Sequence, residues 1–337
     1  MSDLRLVAGS QPTSLSTFTD REIVIARGAK NPIDPRVPYA FFVEPEHSPR
    51  GTVDDVATLF LTNRECPFHC LYCDLWKNTT DERVPPGAIP AQIDHALARL
   101  PAARHIKLYN SGNFFDAQAI PPEDHRAIAE RVSTFETVIV ENHPLLCGAS
   151  CVEFRDLLAA SRTDGTPGPE LEIALGLETV HPGILPRLNK RMTLEDFRRA
   201  AEFLRSQHIA LRAFILLRPP GMVESECADW ALKSIEFAFD CGVRVCAVIP
   251  TRGGNGIMEQ LHAQGEFGSP RLRFLEETLD RGLALRQGRV FVDVWDIERF
   301  YECPSCGPAR AARLREMNLT QRPLPAIACE ACGRGRS

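Results

Sequence analysis

From residue 56 to residue 249, six short apolar runs rich in β-branched and aromatic residues alternate with amphipathic stretches. This alternation constrains the fold more than any other feature of the chain. The runs are "TLFLT" (58–62), "HIKLY" (105–109), "TVIVE" (137–141), "LEIALGL" (171–177), "ALRAFILL" (210–217) and "VRVCAVI" (243–249). They read as strands, because short apolar segments bounded by turn residues suit buried sheet positions. Helical patterns fall near 90–100, 122–134, 151–160, 193–207 and 224–240. Pro90 and Pro122 suit a first helical position, and Thr193 with Asp196 resembles a capping box. Strands joined through helices pair in parallel, so the expected class is α/β with a parallel sheet. Periodicity alone leaves open whether that sheet closes. A helix at 270–286 and the run "RVFVDVW" (289–295) would add a further unit.

The 337 residues suffice for one large domain with appendages. Three segments are expected: an extended, proline-rich arm at 1–50, a core domain at 51–300, and a small cysteine-bearing module at 301–337. The start has no basic head followed by an apolar run, and no apolar stretch reaches the roughly 20 residues of a membrane helix. A cytoplasmic setting without membrane association is the expectation, and thiols stay reduced there. Twelve cysteines then point to metal or redox chemistry rather than to disulfides. A net charge of −5 gives no basic field for nucleic acid. The tail from 301 is the local exception, with six arginines against three glutamates.

Directly after the first strand stands "RECPFHCLYCDLW" (64–76), with Cys66, Cys70 and Cys73 inside eight residues. Buried thiols acting as small hydrophobes would not crowd into a loop broken by Pro67. A structural zinc site takes four ligands, and only His69 offers a fourth. The third reading is a [4Fe–4S] cluster held by three thiolates, which leaves one iron open to a small molecule. The position favours a site, since ligands gather at the carboxyl ends of parallel strands.

The spacing Cys-x3-Cys-x2-Cys, with Tyr72 before the last cysteine, resembles that of the radical S-adenosylmethionine superfamily. The resemblance spans roughly 56–260 and implies a partial (β/α)6 barrel. It implies that Cys66, Cys70 and Cys73 are the catalytic cluster ligands and that the open iron chelates S-adenosylmethionine. One electron from the cluster then cleaves the cofactor to methionine and a 5′-deoxyadenosyl radical that abstracts hydrogen from substrate, an oxidoreductase chemistry. An electron donor such as flavodoxin or ferredoxin is implied as partner.

Further residues follow from the same resemblance. In "YNSGNFFD", Ser111, Gly112 and Asn113 stand where the family meets the methionine amino group, with Asn113 in place of the usual acid. Glu141 closes the third strand, and either binds cofactor or serves the sheet edge. "GLETVHPGILPRLNKRMT" (176–193) resembles the elongator-type and methylthiotransferase-type branch, and puts Glu178 at the ribose. Lys190 and Arg191 would meet the cofactor carboxylate or a substrate anion, or lie solvated. Arg218, at the end of the fifth strand, is a better candidate than Arg212 within it. Pro250 opens "PTRGGNG", whose backbone packs on adenine by analogy. "CDLWKN", "SGNFFD" and "GLET…NK" are loosely similar to the radical subunits of archaeosine synthases, which makes a modified nucleoside in RNA one substrate class to consider.

"CPSCG" (303–307) and "CEACG" (329–333) form two Cys-x2-Cys-Gly knuckles. Together they make a four-thiolate set, Cys303, Cys306, Cys329 and Cys332. Zinc comes first, then an auxiliary iron–sulfur cluster, then a single rubredoxin-like iron. Cys147, Cys151, Cys227, Cys241 and Cys246 lie in or beside apolar runs and read as core. Two rivals to an enzyme remain at this point: a zinc-knuckle nucleic-acid-binding protein and an iron–sulfur electron carrier.

Overall fold

The computed structural model describes residues 16–333, apart from residue 163. In chain order the elements are α1 (Asp20–Ile25), β1 (Ala40–His47), β2 (Val53–Phe60), α2 (Ala88–Leu97), β3 (His105–Tyr109), α3 (His125–Arg131) and β4 (Thr137–Asn142). There follow α4 (Ala149–Ala159), β5 (Glu170–Glu178), α5 (Leu194–Ser206), β6 (Ala210–Leu217), α6 (Cys227–Asp240) and β7 (Val245–Pro250). The last are α7 (Ile257–Ala263), α8 (Leu272–Ala284), β8 (Arg289–Val292) and α9 (Gly307–Thr320).

All eight strands form one sheet in sequence order. β2 to β8 are parallel neighbours. The six expected strands are therefore present, and the unit anticipated at 270–295 supplies a seventh. The Thr193 capping box is formed, with the Asp196 amide donating to Thr193 Oγ1 at 3.1 Å. Pro122 opens its 3-10 turn, whereas Pro90 lies two positions deeper in the first turn of α2 than expected.

The segment expected as an extended arm also holds structure. β1 pairs antiparallel with β2 from Ala40↔Phe60 to His47↔Val53. Pro45 hid it: proline has no N–H to donate to a ladder, but the edge strand β1 tolerates it.

The sheet is curled. Tyr109 on β3 and Phe214 on β6 are separated by two strands, yet their ring centroids are 6.0 Å apart. On a flat sheet these strands would stand about 14 Å apart. The convex face carries Leu59, Ile106, Leu108, Val138, Val140, Ile173 and Leu175, buried in the main core with the helices. The concave face holds ions and aromatics. Arg212 donates to Glu172 at 2.7 Å and to Glu46 at 2.7 Å, and Lys107 meets Glu46 at 2.6 Å. This explains a charge inside an apolar strand: alternation turns Arg212 inward, where carboxylates from β1 and β5 neutralise it.

α9 covers the outer edge of β8. Asn318 donates to Val292 O and accepts from Val292 N at 2.8 and 3.0 Å, and Gln321 does the same for Val290 at 3.0 and 2.8 Å. Two carboxamides thus satisfy backbone groups that an exposed edge would offer to another chain. Ala311, Leu314 and Met317 of α9 join the main core. Among the described residues no helix is long and apolar enough to cross a membrane.

Arg310 anchors this helix. It is 1% exposed, and its guanidinium reaches Glu276 at 2.8 Å and Glu302 at 3.1 Å. Removing one partner of a buried pair strands the other charge. Arg310→Met is expected to cost about 3–5 kcal/mol in thermal or denaturant unfolding. Adding Glu276→Leu should recover a large part of the loss. Equal stability of the single and double variants would contradict the assignment.

Candidate cluster and cofactor site

The three-cysteine loop leaves the carboxyl end of β2 and is held by other segments through both hydrogen bonds and apolar contacts. The Leu71 amide donates to Leu188 O at 2.9 Å. Asn189 Nδ2 donates to His69 O at 2.8 Å. Asn255, beyond β7, donates to Leu71 O at 2.8 Å and Cys73 O at 3.1 Å. Leu71 itself packs with Ile23 of α1 and with Ile257, Met258 and Leu261 of α7. Sequence reasoning missed Asn189 and Asn255. Both lie in turn-forming stretches whose residues any surface loop would carry.

Burial pushes the thiols of Cys66 and Cys70 up to about 11 and that of Cys73 up to about 12. Uptake of a metal group here must release protons, since thiolates are the ligands. A single tetrahedral ion would draw its sulfurs to about 3.8 Å from one another. Among the described residues, only the tail cysteines bring three or more such ligand atoms within 4.8 Å. His69 is turned to carboxylates: Nδ1 lies 3.3 Å from Asp20 and Nε2 3.9 Å from Glu65.

After β3, the turn 110–113 approaches Cys66. Asn113 Nδ2 donates to Cys66 Sγ at 3.2 Å. Ser111 has φ +52° and its hydroxyl meets that of Tyr39 at 2.8 Å. Glu141 accepts from the amides of Asn110 and Gly112 at 2.7 and 3.3 Å. Burial raises the Glu141 carboxyl, and these amides hold it back. Its carboxylate thus braces the turn.

Glu178 ends β5 at a bulge with φ +65°, a region costly for a residue other than glycine. It pairs with Lys190 at 2.7 Å, both buried. Burial would lower the Lys190 ammonium, but the Glu178 carboxylate outweighs it and holds the group charged. Tyr72 packs against the same pair. Burial, then the charge of Glu178, raises its phenol well above the ordinary range. Gly176 makes room: a Cβ there would lie 2.1 Å from Glu178 Oε1 and 2.4 Å from Lys190 Nζ. The structure thus brings Tyr72, Glu178 and Lys190 together, with the Lys190 charge acting on Cys66 and Cys70.

Two other residues are engaged elsewhere. Arg218, also at positive φ (+58°), donates to Ser269 O at 2.8 Å and faces Glu224 at 3.7 Å. Arg191 pairs with Asp20. Pro250 ends β7, one residue before the Thr251 amide bonds back to Leu217 O at 3.1 Å.

In the tail, the sulfurs of Cys303, Cys306, Cys329 and Cys332 all lie within 4.8 Å of one another. Cys306 and Cys332 are 3.9 Å apart, near the edge of a tetrahedron around one ion. The amides of Cys306 and Ser305 bring the Cys303 thiol down to about 7. The tail arginines are partly spent: Arg310 is buried, and Arg313 binds Asp280 at 2.7 Å. Arg334 and Arg336 lie outside the described residues. Cys151, Cys227, Cys241 and Cys246 are buried as core residues, and Cys147 is half-buried.

Removing the Asn255 carboxamide leaves two loop carbonyls without a donor. Asn255→Leu should weaken loop 64–76 locally by about 1–3 kcal/mol. The measurement is hydrogen exchange of residues 66–76 against the rest of the chain. Unchanged protection there would show that Asn255 does not hold the loop.

No family model matches the chain. It is 26% identical over 239 residues to archaeosine synthase subunit beta of Methanosarcina acetivorans, covering 67% of this chain and 66% of that protein. Among solved structures, Elp3 of Methanocaldococcus infernus superposes with a TM-score of 0.48 at 14% identity, over 68% of this chain and 58% of that one. A radical SAM methyltransferase from Sphaerobacter thermophilus gives 0.46 at 15%, over 78% of each chain. The chain spans somewhat less than two thirds of the length of the archaeosine synthase subunit and of Elp3. In the spacing of its cysteine loop the chain resembles the radical S-adenosylmethionine superfamily, and over 67% of its length it is similar to archaeosine synthase subunit beta.

Proposed function

We propose that this chain is a radical S-adenosylmethionine enzyme whose substrate is a modified nucleoside in RNA. The observation that carries the enzyme class is the loop with three cysteines at the carboxyl end of the first parallel strand. It offers three free thiols, with the Asn113 amide on Cys66 and the Lys190 charge acting on Cys66 and Cys70. The RNA substrate rests on the similarity to archaeosine synthase subunit beta.

Cys66, Cys70 and Cys73 would hold a [4Fe–4S] cluster. The donor set fits: thiols, a side-chain N–H already on Cys66, and a buried cation nearby. When bound, the cluster supplies the electron that cleaves S-adenosylmethionine and so generates the hydrogen-abstracting radical. The protein's part is to bind, orient and exclude water. Ser111, Gly112 and the free Oδ1 of Asn113 would meet the cofactor amino group. Glu178 would accept from the ribose hydroxyls, with Lys190 paired to it, and Tyr72 walls the same space. Pro250 and the loop after it would pack on adenine. Glu141 would serve through the turn that it braces, and Arg218 would act at the rim. Reducing equivalents would come from a one-electron carrier such as a flavodoxin or ferredoxin, in the cytoplasm. The tail sulfurs suit one mononuclear ion, which we take as zinc, rather than an auxiliary cluster whose ligands stand further apart.

Three outcomes test this. Anaerobically reconstituted protein should hold about four irons and one zinc per chain, and a strong reductant should yield 5′-deoxyadenosine from S-adenosylmethionine. Cys70→Ala should abolish that product, and its persistence would refute the ligand assignment. Close to eight irons without zinc would place a second cluster in the tail. Glu178→Gln keeps one acceptor but loses the charge, so cofactor affinity should fall by about 1–3 kcal/mol with iron content unchanged. Equal affinities by calorimetry under nitrogen would remove Glu178 from the cofactor site.

A further inference from the structure

Two buried asparagines, Asn110 and Asn113, lie in the turn beside Cys66, and only the Asn113 carboxamide has a hydrogen bond to it. Asn113 is 3% exposed and its Nδ2 donates to Cys66 Sγ at 3.2 Å. Asn110 is fully buried, and neither Nδ2 nor Oδ1 has a hydrogen-bond partner. Such a group is rare in a folded protein, because a carboxamide stripped of water and left unpaired is costly. A leucine would fill the same volume without that cost. The Asn110 carboxamide is also well placed. A Cβ built on Gly112 would lie 3.4 Å from Cys66 Cβ and 3.8 Å from Asn110 Nδ2, so the amide, the glycine and the cysteine border one small space. The turn that sets this geometry is fixed independently by Glu141, which accepts from the Asn110 and Gly112 amides.

We propose that Asn113 and Asn110 are a pair of positioning donors that set the reduction potential of the cluster held by Cys66. The proposal rests on the functional reading above. Asn113 donates to the Cys66 sulfur itself, and the unpaired N–H of Asn110 would donate to the sulfurs of the bound cluster. One-electron reduction adds one negative charge to the cluster and its thiolates and breaks no bond. N–H donors aimed at sulfur stabilise that added charge and raise the potential. The Asn113 side chain that stands where the family has an acid thus turns its nitrogen to the cluster, and its oxygen stays free for the cofactor.

The test is a reductive titration of the anaerobically reconstituted full chain, without S-adenosylmethionine, followed by spin quantitation. Asn113→Leu should lower the reduced-to-oxidised ratio at the wild-type midpoint about tenfold, equivalent to about 59 mV for one electron. Asn110→Leu should shift it in the same direction. Asn113→Asp keeps the shape and turns an acceptor toward sulfur, so its shift should be larger, and Asn110→Asp serves if the leucine variant does not fold. All variants should load four irons, as the wild type does. Variants that load fully and titrate at the wild-type potential overturn this inference alone. A wild-type chain that takes up no cluster overturns the functional reading and this inference with it. Lost iron at an unchanged potential would reveal a purely structural role and equally overturn the proposal.

Discussion

Side-chain carboxamides hold this fold together at the places where the sheet cannot. A parallel sheet satisfies its own backbone between strands, but its carboxyl-end loops and its last edge are left with donors and acceptors facing protein rather than water. Asparagine and glutamine carry one donor group and one acceptor without a charge, so they pair both kinds of backbone group at little desolvation cost. Gln92 binds Thr62 N, Thr62 O and Pro35 O where the cysteine loop begins. Asn189 and Asn255 hold its middle. Asn318 and Gln321 close the far edge at β8. These amides work with the apolar cluster around Leu71 to hold the site.

Inside the curl of the sheet, paired charges lie in two layers with different work. Deep in the concave face Glu46, Lys107, Glu172 and Arg212 neutralise one another, and the low position of the Glu46 carboxyl follows from Arg212 and Lys107 outweighing its burial. Nearer the carboxyl ends the single Glu178–Lys190 pair faces the thiols. Gly176 allows that pair to lie against the strand, and the bulge at Glu178 aims it. Positive φ at Ser111, Glu178 and Arg218, each following or ending a strand, concentrates backbone strain on the same end of the sheet.

The sequence made legible what depends on local chemistry. Apolar runs flanked by turn residues marked six strands, because a parallel strand is buried on both sides and shows it. Cysteine spacing marked both thiol groups. β1 stayed hidden because its evidence is a long-range pairing with β2, and its proline reads locally as an arm. The roles of Asn110, Asn189 and Asn255 stayed hidden for a related reason. An asparagine in a turn has the same local signature whether it faces solvent or another loop's carbonyl 184 residues away, as Asn255 does with Leu71. Arg310 and Arg313 read as a basic surface, yet both are buried, since their carboxylate partners lie on α8.

The central claim is that three cysteines hold a cluster with one iron left for S-adenosylmethionine. The most direct measurement is the electron paramagnetic resonance spectrum of the reduced, reconstituted protein, recorded before and after the cofactor is added. The account predicts a [4Fe–4S]+ signal whose g-values shift on addition, in the wild type but not in Cys70→Ala. A full-strength wild-type signal that does not respond to S-adenosylmethionine would contradict it.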